Sequence, residues 1–125
     1  MPVGSIGEDS GKNTNPERWL HDYHWNCDEV ELDAAATAEA LGVVVATGKK
    51  RRIREITIRH TGSNDTVVTI TDGTNNILSI DVSAESTRLW SSQDGRELVA
   101  GEIPYAQTSD ITGGSTYISA SGVEY

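Results

Sequence analysis

Three side chains early in the chain carry the atoms of a metal site or of a nucleophile with its bases. They are His21, His24 and Cys27, in the run His21-Asp22-Tyr23-His24-Trp25-Asn26-Cys27. Imidazole and thiolate suit zinc or another borderline metal. A structural zinc site takes four ligands, however, and only Asp28 or the distant His60 is left to supply the fourth. The three also splay apart if the chain there is as extended as the strand that follows. Neither a metal nor a cofactor is therefore expected. Cys27 lacks an assignable oxyanion donor and no Gly-x-Ser-x-Gly elbow occurs, so the chain reads as a non-enzyme with no catalytic residues.

The carboxylates tell a similar story. Asp28, Glu29, Glu31 and Asp33 crowd one alternating stretch, with Glu29, Glu31 and Asp33 on a common face. A glycosidase needs its two acids on separate elements across a cleft, so a solvated strand face accounts for the run better. Asp72-Gly73-Thr74-Asn75 has the oxygens for calcium but also the sequence of a hairpin turn, which is the stronger reading. Lys49-Lys50-Arg51-Arg52, continued by Arg54, is the one basic run. It lacks interleaved aromatics and belongs to a chain of net charge −9, which argues against nucleic acid and for an acidic protein surface or a second copy.

Those residues must be positioned by a small β-rich body. With 125 residues, 36% of them hydrophobic and no Phe, the chain has one core to build, from Val, Ile, Leu and Ala with a few Tyr and Trp. Short alternating runs recur about every ten residues between turn clusters. They cover Asp28–Leu32, a β-branched run from Gly42 to Thr47, Arg52–His60, Thr66–Thr71, Asn76–Val82, Glu85–Trp90, Leu98–Ala100, Ile103–Thr108 and Thr116–Val123. Asp33 to Leu41 is Ala-rich and expected to form a helical turn, as is Pro16 to Leu20. The pattern predicts an all-β, antiparallel β-sandwich, jelly-roll-like, of about eight short strands at residues 28–125.

Residues 1–27 read as an extended N-terminal arm: a polar stretch, then the aromatic anchors Trp19, Leu20, Tyr23 and Trp25. Residues 1–39 hold nine acids against two bases, a net charge of −7, whereas the remainder holds ten against eight. No apolar run approaches the roughly 20 residues of a membrane helix, the start does not resemble a secretion signal, and a lone cysteine forms no internal disulfide. No membrane contact is expected, and synthesis in a reducing cytoplasm fits.

The second half of the chain resembles small β-sandwich proteins found among the virion structural proteins of tailed phages. The resemblance is carried by Ile70-Thr71-Asp72-Gly73-Thr74, Ile80-Asp81-Val82-Ser83-Ala84, the segment from Asp94-Gly95 to Ala100-Gly101, and the closing Tyr117-Ile118-Ser119-Ala120-Ser121-Gly122. It implies a decoration or cement protein on the capsid exterior, binding the major capsid protein, made in the host cytoplasm and commonly a homo-oligomer, often a trimer. Trp19, Leu20, Tyr23 and Trp25 would then be the arm's anchors, and Lys49, Lys50, Arg51 and Arg52 a second partner contact. The alternative is a carbohydrate- or receptor-binding module of a tail or cell surface, with an exposed aromatic platform near Trp90 or Tyr105.

Overall fold

The computed structural model describes residues 24–125, which fold into eight strands, with no helix among them. The strands are β1 (His24–Leu32), β2 (Glu39–Ala40), β3 (Lys50–His60), β4 (Thr66–Thr71), β5 (Asn76–Val82), β6 (Ser86–Val99), β7 (Tyr105–Thr108) and β8 (Thr116–Glu124). They form two four-stranded sheets, ordered β1-β8-β3-β6 and β2-β7-β4-β5. Every pairing is antiparallel. Residues 1–23, including the helical turn expected at Pro16 to Leu20, lie outside the described residues.

Alternation explains which face each strand buries. In β3, Ile56, Ile58 and His60 point inward. In β4, Thr66, Val68 and Ile70 do so, and in β5, Ile80 and Val82. Side chains from both sheets join one continuous core, which makes the body sandwich-like, with apolar residues in and polar residues out.

Several expected boundaries move. β1 already includes His24–Cys27, ahead of the start expected at Asp28, so these residues belong to the body. Asp33 to Leu41 is not helical: the chain turns through Ala36, at φ 60°, and then forms the two-residue β2. The β-branched run from Gly42 to Thr47 is not a strand either. Val45 is buried, but its backbone bonds only to the Gly101-Glu102 turn, so it plugs the core from a loop. Glu85–Trp90 and Leu98–Ala100 merge into the long β6, because Asp94-Gly95 forms an irregularity within the strand where a hairpin turn was expected.

Candidate functional site

The point where residues 1–23 join the body is a firmly tied corner. His24 and Trp25 pair with Val123 and Gly122 of β8, and the half-buried Trp25 ring packs against the core. Over that ring lies the guanidinium of Arg51, 4.5 Å from the centroid. Arg51 is fully buried. Its Nε donates to Glu124 Oε1 at 2.9 Å, Nη2 lies 2.8 Å from the same oxygen, and Nη1 donates to the Val43 carbonyl at 2.7 Å. One side chain thus ties the start of β1, the end of β8 and the 41–48 loop. A guanidinium can do this because its planar fork offers several donors while its face stacks on an aromatic ring.

The basic run is accordingly not the free surface loop the sequence suggests. Arg51 faces inward, since β3 begins at Lys50 and its alternation carries that side chain to the interior. Arg52 donates to the Asp94 carbonyl at 2.9 Å, to Tyr125 Oη at 3.1 Å and to Glu97 at 3.1 Å. The Tyr125 hydrogen bond is the main cause holding Arg52 above its ordinary pKa. Lys50 lies 3.6 Å from Glu97, and Lys49 is exposed. Of the four cations, Lys49 and Lys50 remain on the surface to meet a partner, with Arg52 partly so.

Among the anchors, Trp25 is spent largely on its own body, while Trp19, Leu20 and Tyr23 lie outside the described residues. Exposed apolar side chains flank the same corner: Val43 and Val44 on the loop whose carbonyl Arg51 holds, and Val99 opposite Lys50. Sequence reading passed over Glu124 and Val43. A lone glutamate before the last residue carries no signal of its own, and a backbone carbonyl carries none at all.

Of the metal-ligand candidates, His21 lies outside the described residues and the other two separate. His24 faces solvent and Cys27 the core, where the thiol donates to the Asp28 carbonyl at 3.2 Å. Burial, with Asp28 nearby, pushes the Cys27 pKa up, away from the thiolate a nucleophile or ligand needs. Among the described residues no three His, Cys, Asp or Glu side chains are grouped to hold a metal ion. Two carboxylates of the acidic strand, Glu29 and Glu31, are engaged by neighbours instead. Glu29 meets Arg59 at 3.1 Å, and Arg59 in turn stacks 4.0 Å from the Tyr117 centroid. Glu31 accepts from Ser115 at 3.0 Å and from Tyr117 at 3.4 Å.

Asp72 closes the β4–β5 hairpin: its Oδ1 accepts the backbone N–H groups of Thr74 and Asn75 at 2.9 and 2.8 Å. Those bonds hold its carboxyl below the usual range, as expected of a turn residue. Trp90 stands opposite Ile56 and is half-buried against the core. Tyr105 is half-buried on β7.

At the opposite end from Arg51 a buried polar chain stitches the sheets together. His60 Nε2 donates to the Asn64 carbonyl at 2.8 Å, and Nδ1 lies 2.9 Å from the Thr116 hydroxyl. That hydroxyl is 3.1 Å from Thr108, which meets Thr66. The arrangement is satisfied internally and serves packing. No protein-family model matches the chain, and no curated protein matches it. Among the described residues no helix is long and apolar enough to cross a membrane.

Proposed function

We propose that this chain is a non-enzymatic capsid decoration protein: a jelly-roll body carried on the outside of a virion, with an N-terminal arm that binds the major capsid protein and neighbouring copies. The observation that carries this is the strand order, β1-β8-β3-β6 in one sheet and β2-β7-β4-β5 in the other. Four successive pairs of strands alternate between the sheets in the manner of an eight-stranded jelly roll, an architecture widely used in viral shells. A second support is the Arg51 tie, which braces the body where the arm departs. An arm that holds a particle needs such a base, because load on residues 1–23 enters the body at His24 and Trp25.

The mechanism is binding alone. Trp19, Leu20 and Tyr23 supply the apolar area that dominates interface energy. Ordering an arm on a surface costs entropy but covers a wide footprint, and many copies on a lattice add avidity. Lys49 and Lys50 meet acidic groups of the shell or of a neighbouring copy. A trimer is the favoured assembly, made in the host cytoplasm and carried on the virion, with no nucleic-acid or membrane partner.

Light scattering on the full chain and on a chain beginning at His24 tests this, together with sedimentation of each with its capsid shells. Starting at His24 keeps every described residue of β1. A full-length protein that pellets with shells, and a truncated one that stays in solution, is the expected result. Equal behaviour of the two, with no affinity for any shell, overturns the proposal.

A further inference from the structure

The outer face of the β1-β8-β3-β6 sheet is hollowed where two of its strands bulge. In β1 the register slips between Cys27 and Val30, so Asp28 and Glu29 both face outward. In β3 it slips between Ile53 and Glu55, against both neighbours, so Arg54 and Glu55 share that face too. Between the bulges β8 and β3 present only small hydroxylated side chains, Ser119, Ser121 and Thr57. The result is a recess of about 430 Å³ walled by Asp28 and Glu55. It shares Glu55 and Ser121 with a second, of about 250 Å³, walled by Arg54. That one shares Arg54 and Glu55 with a third, of about 350 Å³, which reaches Ser91 and Gln93 on β6. Together they make a trough across all four strands, three spacings of about 4.8 Å.

The Arg54 bulge depends on two glycines. A Cβ at Gly122 would lie 1.8 Å from the Arg52 carbonyl oxygen. At Gly95, with φ at +74°, it would lie 2.9 Å from the Ile53 carbonyl oxygen. No other residue fits either place. Bulges re-aim side chains and concentrate at sheet edges and binding sites, whereas this one interrupts an inner strand.

Charge sets Arg54 apart from the rest of its strand. Lys50 and Arg52 share Glu97, Arg51 has Glu124 and Arg59 has Glu29. Among the described residues Arg54 has no carboxylate partner, and its Nε is buried with no acceptor. Asp28 and Glu55 likewise have no cation there. In an acidic protein that pairs its other β3 cations, these three charges stand unmatched along one trough, interleaved with hydroxyls.

We propose that this trough binds an uncharged oligosaccharide of two or three sugar units. Sugar hydroxyls both donate and accept. Asp28 and Glu55 can each take a pair of neighbouring hydroxyl donors, while the Arg54 guanidinium and the serines supply the complementary donors. Phosphate chains are repelled by the two acids and a simple cation by Arg54, while the apolar side chains of the lining are confined to Cys27, Ala120 and Val123. The site is independent of a capsid role and of the aromatic residues Trp90 and Tyr105.

The test uses the full chain on an array of neutral, sialylated and sulfated oligosaccharides, with Arg54→Gln and Ser121→Tyr beside it. Arg54→Gln removes the guanidinium, and Ser121→Tyr fills the trough without touching the charges. The expected result is binding to neutral glycans that falls at least tenfold in both variants, with both melting as the parent does. Amide signals of Ser119 and Ser121 should shift when the bound neutral glycan is added. Absence of binding to every neutral glycan, binding confined to acidic ones, or undiminished binding by a folded Ser121→Tyr protein each overturns the proposal.

Discussion

Arg51 and Cys27 show how far one residue's surroundings decide its chemistry. Arg51 belongs to a run that looks like a solvated basic loop, yet it is the largest fully buried side chain of the body. Losing it leaves Glu124 without its cation and the Val43 carbonyl without its donor. Arg51→Ala is expected to cost about 3 kcal/mol in urea unfolding. Arg51→Lys should recover less than half of that, since an ammonium has neither the fork nor the stacking face. Lys49→Ala, two residues earlier but exposed, should stay within about 0.5 kcal/mol. Equal effects of the two alanine changes would remove the tie from the account. Cys27 should resist Ellman's reagent at pH 8 and react promptly once urea opens the fold. Its native pKa is raised above the free value of 9.0. The contribution to stability is therefore complete below that free value and is lost as pH rises through the higher native one, so the urea midpoint should fall on the alkaline side.

Elements were legible in the sequence wherever strict alternation ran unbroken. Thr66–Thr71 and Asn76–Val82 sit as read, and the stretch read from Arg52 to His60 lies within β3. Reading failed where the period slipped. The inward spacing from Cys27 to Val30 and from Ile53 to Ile56 is three, not two, and that slip is the one sequence trace of each bulge. Gly42–Thr47 misled because a β-branched run signals burial as well as extension, and here Val45 alone turns inward. The candidate surface was legible as residue types only: no single-sequence pattern says which cations of β3 will find carboxylates. The hydroxyl chain from His60 to Thr66 joins β3 and β8 to β7 and β4, so its loss should be felt between sheets. Thr108→Val, isosteric but without the hydroxyl, is expected to cost about 2 kcal/mol by leaving Thr116 and Thr66 short of a partner. Thr69→Val on the outer face is the control, within about 0.5 kcal/mol; matching urea midpoints for the two would show the chain to be energetically idle.

For the whole molecule, charge works against assembly. Each copy carries a net −9, concentrated towards its N-terminal third. Copies that self-associate must overcome that repulsion, so the association should tighten as salt rises from about 0.05 to 0.5 M, where screening shortens below 10 Å. Light scattering across that range checks it, and dissociation on adding salt would show that ion pairs between Lys49 or Lys50 and a neighbour's acids outweigh the repulsion. One feature of the strand register bears on mechanics. His24 lies beside Val123, and Tyr125 beside Lys50, so the chain enters and leaves the body at the same pole. Tension applied through the two ends would peel β1 from β8 like a zipper, one rung after another, instead of shearing the whole ladder at once. Such a joint yields at low force unless its first rungs are reinforced, and the first rungs are those beneath the Arg51 guanidinium. A body pulled by its ends would hold or open according to that one clasp.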